Sequence, residues 1–483
     1  MTAKKETKNK KNTDSAATME NIISLCKRRG FIYQGSEIYG GLSGMWDYGH
    51  LGVLLKGNIK KVWLERFLDR RDDMYAVDAA IVMNRKVWQA TGHASGFTDP
   101  MVECSKCKRR FRADHFQGST LETQKRSNLC PECGGKLGSE RTFNMMFQTH
   151  VGASPATISH GDFDGETKFA DGKEIEAGEE GETSLSYLRP ETAQGMFVNF
   201  KNVLDSYHPK LPFGLVQTGK AFRNEIAPRD FLFRAREFEQ MEIEYFVNPK
   251  DWEKAFDAFR AETHAFFADV GLSQGSVYEH EIPDSERAFY SKRTIDFEYE
   301  YPFGKKELCG LAYRTDYDLS AHTKESGVDL SYLDEETKTR FVPHCIEPSF
   351  GLDRTVLAVL SGAYTEDEIG GEPRMLLKLL PSVAPVLVAV FPLLRNKSKL
   401  VEKAREIYKM LKKELVRVAF DDNGNIGKRY RRQDEIGTPY CVTIDFDTIE
   451  KDDTVTVRDR DNMEQVRVPS KELTAYMRGR FAL

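Results

Sequence analysis

The clearest hydrophobic pattern in the chain is a helical stripe near its C-terminal end. Within Lys397–Leu415 apolar residues recur every three or four positions, which predicts an amphipathic helix. The stripe consists of Leu400, Ala404, Ile407, Leu411 and Leu415. Apolar runs at Pro385–Leu393 and Arg417–Phe420 flank it, so we predict a strand, a helix and a strand in succession. Further strands are predicted at Tyr440–Phe446, Thr454–Arg460 and Gln465–Val468, and residues 384–483 are therefore predicted to form a separate α/β domain.

Strand patterns dominate the region from Leu211 to Arg354. Arg236–Tyr245 alternates between polar and apolar residues, and Phe303–Asp318 has the pattern of one long strand. Ile346–Leu360 changes from an extended to a helical pattern at Gly351. Before this region, residues 19–81 mix short helical patterns, one of them near Leu54–Leu68, with closely spaced glycines, which is typical of tight loops.

Three segments differ in composition from their surroundings. Residues 1–18 carry five lysines and two acidic residues, and they are predicted to be a disordered basic tail rather than a signal or transit peptide. Residues 102–142 contain two pairs of cysteines, and residues 151–184 form a loop rich in glycine and acidic residues. Both segments are predicted to be insertions in a larger domain that spans residues 19–383.

Composition excludes several classes of protein. A chain of 483 residues is long enough for two to four domains, and its longest apolar run, residues 381–394, has 14 residues. A membrane-spanning helix needs about 20, so we expect no membrane segment. Eight cysteines, four of them in two Cys-x-x-Cys pairs, favour metal ligation over disulfides and hence a reducing, cytoplasmic location. The formal net charge of −5 gives no sign of a nucleic-acid partner, although a sum over the whole chain conceals local basic surfaces.

The two cysteine pairs have the spacing of a metal site. Cys104 and Cys107 form the first pair and Cys130 and Cys133 the second, with 22 residues between the pairs. Four thiolates complete the tetrahedral shell of Zn²⁺ and leave no open position, so a structural zinc site in a zinc-ribbon-like insertion is predicted. Free thiols or two local disulfides are the alternatives.

A second group of residues has the chemistry of a nucleotide site. Strand periodicity places Arg223 with Glu225, and Phe238 with Gln240, Glu242 and Glu244, on common faces. The guanidinium group of an arginine can donate two hydrogen bonds to a phosphate, an aromatic ring stacks on a base, and carboxylates bind an ammonium group or Mg²⁺. Arg354 is predicted in the first turn of a helix, where the helix dipole also favours an anion. A charged antiparallel sheet facing solvent is the alternative for these strands.

Three segments in order along the chain resemble motifs 2 and 3 of class II aminoacyl-tRNA synthetases: Phe222–Glu225, Arg234–Glu242 and Glu347–Arg354. Other blocks are similar to the homodimeric glycyl-tRNA synthetase type of that class, and the resemblance covers residues 19–483. The blocks are Ser36–Ser43, Arg189–Gly195, Arg236–Glu242, Arg314–Leu319, Glu347–Ser349 and Arg429–Cys441. One departure is His50, which stands where relatives usually have proline. The resemblance implies an α+β catalytic domain, with an antiparallel sheet flanked by helices, and a C-terminal α/β anticodon-binding domain.

The resemblance also implies the reaction and its residues. Glycine and ATP would form glycyl-adenylate, and the glycyl group would pass to tRNA(Gly), in a homodimer that uses Mg²⁺. Arg223 and Arg354 would be catalytic. The positions that would contact ATP are Arg223, Asn224, Glu225, Phe233, Arg236, Phe238, Glu307, Leu308, Gly351, Asp353 and Arg354. Those that would contact glycine are Arg112, Glu191, Gln240, Glu242, Glu347 and Ser349.

A basic segment of the C-terminal domain is the candidate for tRNA contact. Lys428, Arg429, Arg431 and Arg432 surround Tyr430, a combination that suits phosphate contacts and base stacking in a single-stranded loop. A solvated helix face is the alternative. The same residues are also compatible with two other functions: a class II synthetase for another small amino acid, and a non-catalytic zinc-containing RNA-binding paralogue.

Overall fold

The structure, a computed structural model, describes residues 18–113, 129–151, 184–273, 275–288, 290–369 and 371–481. The predicted basic tail and the predicted acidic loop lie outside the described residues, apart from their edges. Part of the predicted cysteine insertion is also outside them. None of the helices in the described part of the chain combines the length and the apolar character that crossing a bilayer requires.

The helices and strands are numbered here in chain order. The helices are α1 (Met19–Arg29), α2 (His50–Leu64), α3 (Arg85–Ala90), α4 (His93–Gly96), α5 (Ala193–Tyr207), α6 (Trp252–Asp269), α7 (Tyr317–Ser326), α8 (Leu352–Ala363), α9 (Ser398–Leu415), α10 (Ile426–Ile436), α11 (Phe446–Glu450) and α12 (Leu473–Phe481). The first strands are β1 (Ile32–Gln34), β2 (Trp46–Tyr48), β3 (Met74–Ala76), β4 (Val82–Met83), β5 (Thr98–Glu103), β6 (Arg110–Arg112), β7 (Arg141–Asn144), β8 (Gln148–Val151), β9 (Ser184–Leu188), β10 (Phe213–Phe222), β11 (Glu237–Val247) and β12 (Val277–Glu281). The remaining strands are β13 (Arg293–Tyr301), β14 (Gly304–Thr315), β15 (Tyr332–Asp334), β16 (Thr339–Phe341), β17 (His344–Gly351), β18 (Tyr364–Ile369), β19 (Glu372–Leu377), β20 (Val388–Pro392), β21 (Val418–Phe420), β22 (Tyr440–Ile444), β23 (Thr454–Asp459) and β24 (Gln465–Pro469).

Among the described residues, the largest sheet has seven strands in the order β12-β13-β14-β17-β11-β10-β3. Its neighbouring strands are antiparallel, except that β3 runs parallel to β10. On β11, Met241 and Ile243 face a core to which α2, α6 and α8 contribute. Gln240, Glu242 and Glu244 alternate with them and are buried on the opposite face. A buried polar face on a central strand requires bound or paired groups.

The predicted α+β fold with an antiparallel sheet and flanking helices is confirmed. The change from strand to helix at Gly351 is confirmed as well, because β17 ends there and α8 follows. The single long strand predicted for Phe303–Asp318 is wrong at its end. Thr315 adopts a φ of 59°, which turns the chain out of β14, and α7 begins at Tyr317. The apolar pattern does not show this turn, because a short apolar segment can belong to a strand or to a helix.

A second unit follows β19. Its sheet has the order β21-β20-β22-β23-β24, with parallel pairing around β20 and antiparallel pairing from β22 onward. The five residues of the predicted stripe are the buried residues of α9, as the sequence pattern indicated. This mixed sheet with packed helices confirms the predicted α/β character of the C-terminal region.

Candidate active site

Two adjoining cavities lie on the polar face of the large sheet. One, here called the arginine cavity, is lined by Arg223, Arg234 and Arg354, and the other, the acidic cavity, is lined by Glu191, Glu242 and Glu347. Four side chains border both cavities: Arg223, Gln240, Glu307 and Ser349. The arrangement places cations beside an acidic pocket, so one ligand with an anionic and a cationic end could occupy both.

Most of the predicted nucleotide-contacting residues surround the arginine cavity. They come from the ends of β11, β14 and β17, from the first turn of α8 and from the loop between β10 and β11. The predicted residues at this cavity are Arg223, Glu225, Phe233, Phe238, Glu307, Leu308, Gly351, Asp353 and Arg354. Arg223 and Glu225 lie in the loop, however, because β10 ends at Phe222, so their predicted strand register is wrong.

Arg354 is held by groups on two other elements. Its guanidinium lies 3.0 Å from a carboxylate oxygen of Glu307 and 4.4 Å from the centre of the Phe233 ring. The charge of Arg354 lowers the pKa of Glu307 below its ordinary value. Near the N-terminus of α8 the helix dipole adds to this positive potential. The site therefore offers a fixed cation to an anionic ligand.

Two further arginines border the same cavity. The guanidinium of Arg223 lies 5.3 Å from the centre of the Phe238 ring, and its Nε donates to the carbonyl of Pro190 at 3.1 Å. Arg234 was not among the residues predicted from the sequence, yet it lines the cavity. Within the described residues its Nη1 is buried and has no hydrogen-bond partner. A buried guanidinium N–H without a protein acceptor is suited to an anionic ligand such as phosphate.

The acidic cavity is built around Glu242. This carboxylate accepts hydrogen bonds from Thr192 Oγ1 at 2.5 Å and from Ser349 Oγ at 2.6 Å. The second contact follows from the sheet register, which pairs Glu242 with Ser349 across β11 and β17. Burial and then the nearby Glu191 raise the pKa of Glu242 above its ordinary value. A cation in the cavity would favour the charged carboxylate and lower this pKa again.

Glu191 and Glu347 complete this cavity. Glu191 accepts from Gln194 at 3.0 Å and lies 3.3 Å from His93 Nε2, while Glu347 accepts from Arg314 Nη1 at 2.7 Å. Burial raises the pKa of Glu191, but His93 and then Arg314 outweigh it and bring the pKa below its usual value. Glu191 is therefore anionic, and with Glu242 and Glu347 it presents carboxylate oxygens to a small cation such as an ammonium group.

The chain is similar over most of its length to glycine–tRNA ligases. It is 45% identical over 466 residues to the glycine–tRNA ligase of Treponema denticola, which covers 95% of this chain and 96% of the relative. It is 46% identical over 482 residues to that of Clostridium tetani, with 95% and 98% covered. The chain belongs to the glycine–tRNA ligase family. Residues 176–363 match the family model of the class II tRNA synthetase core domain (G, H, P, S and T), and residues 387–480 match the anticodon binding domain.

A solved structure supports the fold independently. The chain resembles the prolyl-tRNA synthetase from Cryptosporidium parvum, complexed with L-proline and AMP, with a TM-score of 0.62. The alignment covers 98% of this chain and 79% of that one, at 16% sequence identity. At this identity the likeness shows the class II fold alone.

Three residues predicted to contact the nucleotide in this family member have other contacts. Asp353 lines the cavity, but its carboxylate accepts from Tyr48 Oη, from Lys56 at 3.1 Å and from the backbone N–H of Glu239 at 2.6 Å. The Arg236 guanidinium donates to the carbonyls of Glu225 and Ser43. Asn224 is not among the cavity residues. Asp353 and Arg236 thus have protein partners, Asn224 lies outside the cavity lining, and contact of these three residues with a nucleotide stays a prediction.

Arg112 does not line the acidic cavity, in contrast to its predicted contact with glycine. Its Nη1 lies 2.5 Å from a carboxylate oxygen of Asp99. Glu239 was not among the site residues predicted from the sequence, yet it borders the arginine cavity, where Lys56 and Lys60 contact it at 3.1 and 2.7 Å. The sequence signal for Glu239 was present, since it lies between Phe238 and Gln240 in the same block, but strand alternation assigned it to the other face.

The four predicted metal ligands converge. The Sγ atoms of Cys104, Cys107, Cys130 and Cys133 all lie within 4.8 Å of one another, with 3.5 Å between Cys104 and Cys133 and 3.6 Å between Cys107 and Cys130. The backbone N–H of Cys107 donates to Cys104 Sγ, which lowers the pKa of that thiol to about 6. A Cβ on Gly135 would lie only 2.9 Å from Cys104 Sγ, so the backbone closes tightly around the sulfurs. No disulfide links any of the eight cysteines, all of which are described.

The basic segment predicted to contact tRNA lies on α10, but its side chains differ in exposure. Arg429 is only 1% exposed, and its guanidinium donates to the carbonyls of Pro392, Asp422 and Gly424. These acceptors occupy its N–H groups and fix β20 against the loop before α10, so the structure gives Arg429 a structural role, and its phosphate contact stays a prediction. Tyr430 is half-buried, with its hydroxyl 2.6 Å from Thr443 Oγ1.

The other basic residues of this segment lie at the surface. Lys428 is exposed, and Arg431 and Arg432 are half-buried. Arg431 is paired with Glu372 at 3.2 Å and Arg432 with Asp421 at 2.7 Å. Surface pairs of this kind contribute about 0–1 kcal/mol, so a phosphate can compete for these arginines.

Proposed function

We propose that this protein attaches glycine to tRNA(Gly) through a glycyl-adenylate intermediate. The observation that carries the proposal is the acidic cavity, whose three carboxylates and serine suit the ammonium group of glycine, beside a cavity lined by arginines that suits ATP. Arg223 borders both cavities, at the place where the carboxylate of glycine would meet the α-phosphate. The family membership of the chain supports the same activity.

In the first step the glycine carboxylate attacks the α-phosphate and pyrophosphate leaves. Two anions must approach, so positioning and charge stabilisation dominate over acid–base catalysis. We propose that Arg223 and Arg354 supply the charge. Glu242, Glu347, Glu191 and Ser349 would hold the ammonium group, and Gln240 lies at the junction of the cavities. In the second step the terminal ribose of tRNA takes the glycyl group and AMP leaves.

Mg²⁺ accompanies ATP in this proposal. Glu225 and Glu307 fit it, because both carboxylates border the arginine cavity, and Glu225 Oε2 is buried without a hydrogen-bond partner among the described residues. The ion would neutralise phosphate charge and orient the leaving pyrophosphate.

The decisive experiment is ATP–pyrophosphate exchange that depends on the amino acid. Exchange with glycine, and little with alanine or serine, is the expected result. Exchange with another small amino acid would identify a different class II specificity, and no exchange with any amino acid would favour a non-catalytic RNA-binding role. Selectivity for glycine requires that the cavity exclude the Cβ atom of any other amino acid. Because a steric clash discriminates steeply against larger side chains, no editing step is required.

Phe238 is proposed to stack on the adenine base. Replacing it with alanine is expected to raise the KM for ATP by roughly 5- to 150-fold, which corresponds to about 1–3 kcal/mol of stacking. The KM for glycine should change less, because Phe238 borders only the arginine cavity. Exchange kinetics with varied ATP give this value. An unchanged KM for ATP would contradict the stacking role.

We propose that the four cysteines bind a structural Zn²⁺. Zn–S bonds of about 2.3 Å place tetrahedral sulfurs about 3.8 Å apart, close to the Sγ distances of 3.5 and 3.6 Å here. With four sulfur ligands the ion has no open position for substrate, so its contribution would be to the folding of this insertion.

Replacing Cys104 with serine is expected to lower the zinc content from about one ion per chain towards zero, because three thiolates hold the ion far less tightly. Elemental analysis of the purified protein measures this change. The matched control is Cys26→Ser, since Cys26 is buried in another core and should leave the zinc content unchanged. An equal zinc content in the Cys104 variant and in the wild type would contradict the proposed zinc site.

The residues of α10 that remain available are proposed to contact tRNA. Lys428, Arg431 and Arg432 would bind phosphates of a single-stranded loop, and Arg429 would fix the helix that presents them. The division into a catalytic domain (19–383) and an anticodon-binding domain (384–483) is part of this proposal. So is a cytoplasmic location, which the free thiols of all eight cysteines favour.

A homodimer is proposed from the exposed apolar side chains near the N-terminus. Within 17 residues, Ile38 and Tyr39 are 89% and 86% exposed, and Leu42, Val53 and Leu54 are exposed as well. Such a concentration of exposed apolar side chains is typical of a protein interface.

Replacing both Ile38 and Tyr39 with aspartate is expected to convert the dimer to monomer at micromolar concentration, because two charges per chain would be buried without partners. Light scattering coupled to size exclusion measures the mass. Val328→Asp, at another exposed apolar position, should leave the mass unchanged and serves as the control. A wild-type mass equal to one chain would refute the dimer.

A further inference from the structure

The acidic cavity has a fourth carboxyl group beneath it. Glu244 is fully buried on β11, two residues beyond Glu242 and on the same face of the strand. One oxygen from each of Glu242, Glu244 and Glu347 lies within 4.8 Å of the other two. Glu244 was not assigned to the site, and glycine does not need it if the other three carboxylates hold the ammonium group.

The sheet register brings Glu244 against a like charge. On β11 and β17, Glu242 pairs with Ser349 and Tyr245 pairs with Ile346, so Glu244 lies opposite Glu347 between these pairs. Like charges directly opposite each other on neighbouring strands are destabilising. Glu347 has a cation partner, since Arg314 donates to it at 2.7 Å. Glu244 has none: its Oε2 accepts from the thiol of Cys345 at 2.9 Å, and its Oε1 has no hydrogen-bond partner among the described residues.

The groups around Glu244 come from four elements. Glu242 is on its own strand, Cys345 and Glu347 are on β17, Arg314 is on β14, and β10 presents the apolar Leu215 opposite Glu244. Farther out, α7 contributes Asp318 and His322, and Glu191 lies before α5. Arg314 donates two hydrogen bonds to Asp318, at 2.7 Å each, so this arginine is shared between the carboxylates of Asp318 and Glu347. Acidic groups therefore outnumber cations in the empty cavity.

We propose that Glu244 is a positioning residue that carries a proton while the cavity is empty and releases it when the ammonium group of glycine binds. The proposal rests on the function proposed above. In the empty site the proton on Glu244 removes the repulsion with Glu347, and in the occupied site the ammonium cation takes over that role. The step is a transfer of one proton from the Glu244 carboxyl group to solvent.

The proposal predicts the direction in which glycine affinity changes with pH. Burial and then the charge of Glu347 raise the pKa of Glu244 well above its ordinary value in the empty protein. A cation placed among Glu191, Glu242 and Glu347 favours the carboxylate and lowers that pKa. Glycine therefore binds more tightly as the pH rises between the two pKa values, and its KM falls by up to about tenfold per pH unit in that interval.

Calorimetric titration of the full protein with glycine, in buffers of different ionisation enthalpy, measures the protons released. At pH values below the raised pKa of Glu244, the wild type is expected to release a substantial fraction of one proton when glycine binds. Exchange assays should give a KM for glycine that falls as the pH rises. Glu244→Gln is isosteric with the protonated acid. It should keep the thermal stability of the wild type, lose the proton release and give a KM for glycine that no longer depends on pH.

Glu368→Gln, at an exposed position on β18, is the matched control and should retain both responses. Glycine binding to the wild type without proton release would overturn the role of Glu244 and leave glycine activation standing. The same release in Glu244→Gln would assign the proton to another carboxylate. If the wild type gives no glycine-dependent exchange at all, the proposed function fails first, so the two failures are distinguishable.

Discussion

Replacing Arg223 with alanine is expected to slow the formation of glycyl-adenylate by about 10²- to 10³-fold, the loss typical of removing one preorganised donor from a developing charge. Arg223 borders both cavities and lies over the Phe238 ring, so its guanidinium can contact the glycine carboxylate and the α-phosphate together. The loss should appear mainly in kcat, because the contact strengthens as the two anions approach. Exchange kinetics or single-turnover formation of the adenylate measures it.

Arg223→Lys tests the geometry of this contact. Lysine keeps the charge but lacks the planar fork, so it should restore only part of the rate. Arg340→Ala is the control for loss of an arginine, since Arg340 is exposed on β16 and pairs only with surface groups in the described structure. A kcat for Arg223→Ala within a few-fold of the wild type would mean that Arg354 and Arg234 carry the charge stabilisation without it.

Replacing Glu242 with glutamine should raise the KM for glycine by about 30-fold or more, which corresponds to at least about 2 kcal/mol for one partner of a buried, hydrogen-bonded charge pair. Glu242 accepts from Thr192 and Ser349, so an amide at this position both loses the charge and places an N–H against a hydroxyl. The KM for ATP should change much less, since Glu242 borders only the acidic cavity. Exchange assays with each substrate varied in turn give both constants.

Thr192→Val separates the charge from its hydrogen bonds. It removes one donor to Glu242 but leaves the carboxylate, so the KM for glycine should rise less than in Glu242→Gln. An effect of Glu242→Gln on ATP larger than on glycine would contradict contact with the ammonium group. Equal effects on both substrates would indicate distortion of β11 rather than loss of a ligand contact.

Much of the site followed from residue types in order along the chain. The alternation on β11 placed Gln240, Glu242 and Glu244 on one face, and the switch at Gly351 placed Arg354 at the start of a helix. Local periodicity determines both features, because they depend only on the repeat of a strand or a helix. The resemblance added Glu191 and Glu307, which lie far from β11 in sequence and beside it in the cavities.

Other predicted site residues have hydrogen-bond partners in distant parts of the chain. Arg236 and Asp353 occupy positions expected to face the nucleotide, yet backbone carbonyls satisfy Arg236, and Tyr48 and Lys56 satisfy Asp353. Arg234 was overlooked although it lies two residues before Arg236. A sequence shows that these side chains are charged, but the hydrogen-bond partner that is nearest in space decides which of them remain free to bind a ligand.

By itself the sequence determined the family, the order of the two domains, the four cysteines that converge and the chemical types of the groups at the site. Only the tertiary structure decided which members of a charged run are buried. Arg429 and Arg432 lie on the same helix, yet Arg429 is enclosed by carbonyls of β20 and the preceding loop, while Arg432 remains near the surface. The placement of Glu244 opposite Glu347 is of the same kind, because strand register is fixed by pairing between segments that are distant along the chain. Local composition sets what a residue can do, and long-range packing sets which partner it meets.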